Sequence, residues 1–276
     1  MKCAWKELLA ILPPNLRSEV DKYGKDSAQE LRVRLGKPSE LVTVNGSLWF
    51  GESVGEQDIR FTVNTASRYS PWAAETASKG FITAAGGHRI GLCGEAVTER
   101  GQARGIKTVT SLNIRIARDF CGIAPKLPGK GNLLILGPPG SGKTTMLRDL
   151  TRQIAGQDTV AVVDERSELF PSGFQTGKRM DILSGCAKAE GIDMVLRTMG
   201  PACIAVDEIT AEEDCIALQK AGWCGVRLIA TAHASCQEDL RRRAVYNSLW
   251  QTGLFDTLLI LRPDKSWYTE RMVSCC

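Results

Sequence analysis

Long hydrophobic runs are missing from this chain. No stretch of about 18 consecutive apolar residues occurs, so no transmembrane helix is expected. The opening, MKCAWKELLAILPPNL, holds only a brief apolar patch with Glu7 inside it, which reads against a secretory signal. Ten cysteines are present, yet none forms a C-x-x-C pair and Cys275 and Cys276 are adjacent. A zinc knuckle is therefore not expected, and reduced cytosolic thiols are expected in preference to a disulfide framework. The terminal cysteine pair also lacks the spacing of a prenylation signal. Net charge is small: 35 basic residues against 31 acidic ones leave +4, too little to indicate nucleic acid. The six Trp residues are scattered, without the interleaved basic and aromatic pattern of a single-strand binding surface. What remains, 43% apolar and 24% charged over 276 residues, is the composition of a globular protein of one large or two ordinary domains.

The most informative stretch runs from Asn132 to Ala155. Asn132 to Leu136 is an apolar run that suits one buried strand, and Gly137–Thr144 then reads G-P-P-G-S-G-K-T. This is a complete G-x-x-x-x-G-K-[ST] phosphate loop. Met146, Leu147, Leu150 and Ile154 follow at helical spacing, so the loop opens a helix with one apolar face. Glycine permits backbone angles that a Cβ forbids, and the helix N-terminus adds partial positive charge where an anion would sit. Lys143 supplies a full charge towards the β- and γ-phosphates, and the Thr144 hydroxyl suits a Mg²⁺ ligand. The candidate nucleotide-binding residues are Gly137, Pro138, Pro139, Gly140, Ser141, Gly142, Lys143, Thr144 and Thr145.

Before this stretch the pattern is mixed. Trp5, Leu8, Leu9 and Leu12 share a helical face that Pro13-Pro14 ends, and a second helix begins near Pro14. Leu31–Leu35 and Leu41–Val44 read as strands, Asn45-Gly46 as a hairpin turn and Ser47–Phe50 as the returning strand. Asp58–Ser78 is helical, Gly80–Cys93 a hairpin turning at Gly86-Gly87, and Val109–Ile116 a strand. Residues 1–124 are thus expected to form a small α+β domain, and Pro125, Pro128, Gly129 and Gly131 a linker. From 125 to 276 strand and helix alternate, which implies a mainly parallel sheet. Its strands are Thr159–Val163, Cys203–Val206, Val226–Ala230 and Leu258–Leu261, with helices closing at Met199 and spanning about Asp214 to Ala221.

Several of these strands end in chemistry. Cys203–Val206 ends in Asp207, placed to coordinate Mg²⁺ through water, and in Glu208, placed to act as base on a water in line with the γ-phosphate. The strand before it ends in Asp164-Glu165; Glu165 either orients water or Mg²⁺, or pairs with Arg166 or Arg197. His233 closes the strand after it, beside the expected γ-phosphate, where it could sense nucleotide state. The extra strand between the two motifs favours the RecA-like branch of P-loop enzymes over GTPases. No Asn-Lys-x-Asp guanine-reading motif is present. Arg241-Arg242-Arg243 reads as a solvated helix face before it reads as a basic patch.

Together, Gly137–Thr144, Asp164-Glu165, Val206-Asp207-Glu208 and Thr231-Ala232-His233 resemble the four boxes of the secretion and pilus-retraction ATPases. The chain is still more similar to the stage III sporulation protein AA family. That resemblance rests on GFITAAGGHRIGLCGEAV (80–97), SLNIRIAR (111–118), VVDERSE (162–168), DILSGCAKAEGIDMVLRTMGP (181–201) and VDEI (206–209), and runs from about Leu31 to Pro263. It implies an α/β protein, a C-terminal RecA-like ATPase domain behind a smaller α+β domain, using ATP and Mg²⁺ and assembling as a hexamer. It further implies a cytoplasmic protein on the mother-cell side, held to a membrane only through membrane-embedded channel proteins that join mother cell and forespore. Three departures stand out: Ile209-Thr210-Ala211 occupies a turn where secretion ATPases carry Arg, no four-cysteine zinc module is present, and Asp207 stands where those relatives favour Gly. Such relatives complete their site with an arginine from the preceding domain, which makes Arg89 and Arg115 candidates for a contact across a subunit boundary. On a strand Arg115 and Arg118 face opposite sides, so at most one of those two points into a given site. A RecA-like ATPase acting on nucleic acid, and a nucleotide-gated scaffold without turnover, are the alternatives. The first predicts salt-sensitive binding and stimulation by single strands; the second predicts binding without hydrolysis.

Overall fold

The computed structural model describes residues 2–23, 27–67, 77, 80–99, 102–126, 131–171 and 173–272. Among these residues the chain divides into two compact units, one of Met1–Asp119 with Pro171–Phe174, the other of Phe120–Phe170 with Gln175–Cys276. The division falls at 119/120, not at 124/125. The Gly122 and Ala124 N–H groups donate to the two oxygens of Asp149 (2.9 and 2.8 Å), which ties this segment to the second unit.

In the first unit, α1 (Trp5–Ile11) and α2 (Pro14–Tyr23) are separated by an extended Leu12 at φ −90°, ψ 145°. Pro13 and Pro14 cannot continue α1, while proline in the first turn of α2 leaves no needed N–H unmade. A six-stranded antiparallel sheet runs in the order β4-β3-β2-β7-β6-β5. Its strands are β2 (Ala28–Arg34), β3 (Ser39–Thr43), β4 (Gly46–Phe50), β5 (Phe81–Thr83), β6 (Arg89–Glu99) and β7 (Gln102–Arg115). A short pair, β1 (Lys2–Cys3) with β8 (Arg118–Asp119), stands apart from it. Leu8, Ile11, Leu16 and Val20 of the helices bury with Leu31, Val33, Leu41, Ile90 and Ile114 of alternate strand positions. Each such side chain contributes about 1.5–3 kcal/mol on burial. The helix expected over Asp58–Ser78 is seen as α3 (Glu56–Ser67), and 68–76 with 78–79 lie outside the described residues. Turning at Ala85–Gly87 through a 3₁₀ turn, the expected hairpin is longer than its apolar residues suggested. β6 and β7 continue as a ribbon to Glu99 and Gln102, with register shifts at Cys93/Gly94, Glu95/Ala96 and Val97/Thr98. A Cβ on Gly94 would lie 1.9 Å from Thr108 O, so the first shift requires glycine.

The second unit is built on a seven-stranded sheet in the order β11-β10-β12-β13-β9-β14-β15. It comprises β9 (Leu133–Leu136), β10 (Val160–Asp164), β11 (Met180–Ser184), β12 (Cys203–Val206), β13 (Arg227–Ala232), β14 (Thr257–Leu261) and β15 (Trp267–Arg271). Every pairing is parallel except that of β14 with β15. β11 and β15 are the two edges, short and largely exposed, and each carries charged or polar residues among its apolar ones, so neither stood out as a buried apolar run. Along the central strands alternate residues belong to two different cores. Leu133, Ile135, Val160, Val162 and Ile229 pack with Met146, Leu147 and Leu150 of α4 (Lys143–Ile154). Leu134, Val163, Val206 and Ala230 pack with Ile192 and Val195 of α5 (Lys188–Thr198) and with Cys215 and Leu218 of α6 (Glu212–Trp223). Helices thus cover both faces, and the strands read as continuous apolar runs because neither face meets water. After β13 come α7 (Gln237–Arg242) and α8 (Asn247–Gln251). There Arg243 pairs with Asp239 (3.1 Å) and Arg241 lies over the Trp250 ring (4.8 Å), a solvated helix face. Because β9, β10, β12 and β13 are parallel, the groups that follow their carboxyl ends gather at one edge of the sheet.

Candidate active site

The loop from Gly137 to Gly142 bends back over the end of β9. Gly140 and Gly142 have φ of 75° and 100°, angles at which a side chain is strained, and a Cβ on Gly137 would meet Ser141 Oγ at 2.4 Å. Gly142 is the N-cap of α4, so the Lys143, Thr144 and Thr145 N–H groups open that helix. Lys143 is only 7% exposed. Its ammonium donates to Gly137 O (2.8 Å) and Pro138 O (3.0 Å) and faces His233 Nδ1 (3.1 Å). Burial lowers the Lys143 pKa from its ordinary value, and the charges of Asp207 and Glu208 oppose that shift.

Asp207 and Glu208 follow β12, and Thr231 of β13 fixes them both. The Thr144 hydroxyl donates to Asp207 Oδ2 (2.7 Å) and the Thr231 hydroxyl to Asp207 Oδ1 (2.6 Å). The Glu208 N–H donates in turn to Thr231 Oγ1 (2.7 Å), and Thr231 is fully buried. Glu208 has φ 52°. That left-handed backbone costs a residue with a side chain about 1–3 kcal/mol and persists only where neighbours impose it. Its carboxylate lies between two partners, Oε1 facing His233 Nε2 (3.1 Å) and Oε2 taking a hydrogen bond from Arg166 Nη1 (3.2 Å). A His233 tautomer with its proton on Nε2 satisfies both ring contacts, accepting from Lys143 and donating to Glu208.

The loop after β10 is pinned from several sides. Asp164, 3% exposed, accepts from the Glu168, Leu169 and Phe170 N–H groups, each at 2.9 Å. Burial pushes its carboxyl above the usual carboxylate range, the three N–H bonds pull it back, and Asp207 adds to the rise. Arg148 of α4 donates to the Leu169 and Glu168 carbonyls. Glu165 pairs with neither Arg166 nor Arg197. Its partner is the buried Lys188 at the start of α5 (2.5 Å), while Arg197 pairs with Asp193 (2.6 Å). Lys188 also lies 3.7 Å from Asp214, whose carboxylate caps α6 by accepting from the Thr210 and Ala211 N–H groups.

Sequence reasoning named Thr231 only as part of a motif and Arg166 only as a candidate partner of Glu165, and it passed over Lys188 altogether. The signal for Thr231 was its place two residues before His233 on a strand neighbouring β12; nothing in the sequence marked Lys188. In the first unit Arg89 and Arg115 are direct cross-strand partners on β6 and β7 and so share one face of the sheet. Arg89 stacks over Phe81 (4.2 Å), Arg115 lies 3.6 Å from Glu30, and Arg118 donates to the Ala28 carbonyl.

The residues present fit a nucleoside triphosphate with Mg²⁺. The glycines hold open a cradle that a Cβ would strain, a buried ammonium points at its carbonyls, and a threonine hydroxyl faces a carboxylate. Among the described residues no cluster of three or more His, Cys, Asp or Glu could hold a metal alone. A Mg²⁺ here would therefore be held by Thr144 and by phosphate oxygens, with Asp207 behind.

Comparison with known proteins shows the family and the fold. The sequence model of the family described as sporulation stage III, protein AA matches residues 5–271. The chain is 37% identical to stage III sporulation protein AA of Bacillus subtilis (strain 168), over 94% of this chain and 91% of that protein. It is 29% identical to the uncharacterized protein ycf45 of Cyanidium caldarium, over 61% of this chain and 55% of that one. Among solved structures it is similar to the Legionella pneumophila ATPase DotB, with TM-score 0.58 and 17% identity over 89% of this chain and 76% of that one. It is likewise similar to the pilus retraction motor PilT with bound ADP, with TM-score 0.63 and 15% identity over the same shares. At such identities the likeness shows the fold, which is the RecA-like α/β fold of those ATPases.

Proposed function

The chain belongs to the sporulation stage III, protein AA family, and we propose that it is a Mg²⁺-dependent ATPase that works as a ring. Its task on this reading is to energise assembly of, or transport through, a secretion-like channel between mother cell and forespore. The observation that carries the reading is the convergence of Lys143, Thr144, Asp207 and Glu208 at one edge of a parallel sheet, with Thr231 bonded to both carboxylate residues. The fold it shares with a pilus retraction motor that binds ADP supports it.

Each residue then has a role. Lys143 and the first N–H groups of α4 bind phosphate oxygens. Thr144, with Asp207 behind it, would hold Mg²⁺, which when bound would neutralise charge developing on the transferred phosphoryl group. Water attacks the γ-phosphorus as the bond to the β-phosphate oxygen breaks, and Glu208 takes the proton that the water loses. Thr231 keeps Glu208 in its unusual backbone geometry, and His233 connects Glu208 to Lys143. Glu165, held by Lys188, borders the same small cavity as Asp207 and Glu208 and orients water or Mg²⁺ there. Among the described residues no helix is long and apolar enough to cross a membrane, so on this reading membrane-embedded channel proteins bring the chain to the membrane.

Phosphate release from ATP, with and without Mg²⁺, tests the reading. Lys143→Ala should lose nucleotide binding or nearly so. Glu208→Gln should bind ATP normally and turn over at least about 100-fold more slowly, since an amide cannot accept the proton. Turnover by Glu208→Gln at the wild-type rate would remove Glu208 as base.

A further inference from the structure

Arg166 has no part in the mechanism above, yet it makes an ion pair with the proposed base. Its Nη1 lies 3.2 Å from Glu208 Oε2, and its side chain is 57% exposed. The backbone that carries it is fixed on both sides. Glu165 before it is held by Lys188, and Glu168, Leu169 and Phe170 after it are held by Asp164 and Arg148. A solvated side chain on a fixed mount can leave its partner without disturbing the loop. His233, the other partner of Glu208, is tied to Lys143.

The charge argument is direct. When Glu208 accepts a proton it becomes neutral, and the attraction to Arg166 is lost at that moment. Any ion pair stronger before proton transfer than after it opposes the transfer. Arg166 also takes one of the acceptor sites of the oxygen that His233 leaves open, so it competes with an attacking water for Oε2.

We propose that Arg166 is a positioning residue that restrains Glu208, so that the ion pair between them sets how readily the base engages water. This rests on the reading of Glu208 as the base. An exposed ion pair is worth up to about 1 kcal/mol, which corresponds to an effect of about two- to fivefold. Arg166→Gln should therefore raise kcat about two- to fivefold at saturating ATP and leave KM unchanged. Arg166→Lys, which keeps the charge, should stay near wild type. In the Glu208→Gln background, Arg166→Gln should have no further effect, because Arg166 acts only through the carboxylate. Salt screens exposed pairs, so the wild-type kcat should rise with ionic strength while that of Arg166→Gln should not.

The full chain is assayed for ATP binding and phosphate release in all five forms: wild type, Arg166→Gln, Arg166→Lys, Glu208→Gln and the double variant. A lower or unchanged kcat in Arg166→Gln, with ATP binding intact, overturns the restraint. So does an undiminished Arg166→Gln effect in the Glu208→Gln background. Should wild type show no turnover, turnover in Arg166→Gln supports the proposal and its absence overturns it. Failure of the ATPase reading looks different: Lys143→Ala would bind ATP like wild type, or Glu208→Gln would hydrolyse like wild type.

Discussion

Thr231 shows how much of the site hangs on one hydroxyl. It donates to Asp207 and accepts from the Glu208 N–H, both inside a fully buried position. Thr231→Val keeps the shape and removes both bonds, leaving the Glu208 N–H without its partner, which costs about 1–3 kcal/mol. Denaturant unfolding should show that loss, and phosphate release should fall more than ATP binding does. His88 is the corresponding residue of the first unit. It is fully buried, with Nε2 donating to Ala4 O (2.8 Å) and Nδ1 accepting from the Ala117 N–H (3.1 Å). Both nitrogens are used by the neutral ring, and burial lowers its pKa below the ordinary value of 6.5. Below pH 6.5 the unfolded chain therefore takes up a proton that the folded chain refuses, so stability contributed by neutral His88 falls as pH drops from there to the folded pKa. Thermal unfolding at about pH 7 and about pH 5 should show a drop that His88→Gln lacks, since an amide can keep one donor and one acceptor without titrating.

Among the elements, α5 sits close to the sheet because of Gly191. A Cβ there would lie 2.5 Å from Val163 Cγ1 and 3.0 Å from Cys186 Sγ. Alanine raises helix propensity by about 1 kcal/mol, but overpacking costs about 1–3 kcal/mol. Gly191→Ala should therefore destabilise the protein by about 1 kcal/mol, read as a lower denaturant midpoint at unchanged slope. The same shift would move Lys188 on α5, and with it the pairing to Glu165. The elements that the sequence hid share a physical cause. β11 and β15 are short, largely exposed edges that mix polar with apolar residues, and the β6–β7 ribbon beyond Cys93 is exposed, so none carries the uninterrupted apolar pattern that marks a buried strand.

For the molecule as a whole, assembly is the decisive property. A mass measurement with and without ATP should give a ring in the presence of nucleotide. Within such a ring, Arg89 or Arg115 is proposed to reach nucleotide bound by a neighbour, and their register places them side by side on one sheet face. Arg89→Ala or Arg115→Ala chains with an intact phosphate loop should be inactive alone, as should Lys143→Ala chains that keep their arginines. Mixed rings should recover part of the activity wherever a good loop meets a good arginine. Normal hydrolysis by the Arg→Ala chains, or no recovery after confirmed co-assembly, would remove the contact across the boundary.

Local chemistry was legible in the residues alone. The phosphate loop, the apolar strands ending in Asp164, Asp207 and His233, and the prolines that separate α1 from α2 each depend on a few neighbouring residues. Backbone permission, periodicity and charge act at that range. Pairings between distant residues were not legible. That Thr231 serves both Asp207 and Glu208, that Lys188 and not Arg166 or Arg197 holds Glu165, and that Arg166 grips Glu208 all depend on strand order. β13 lies between β12 and β9, and β10 lies on the far side of β12. Side chains that are tens of residues apart meet only because a parallel sheet brings the carboxyl ends of those strands to one edge.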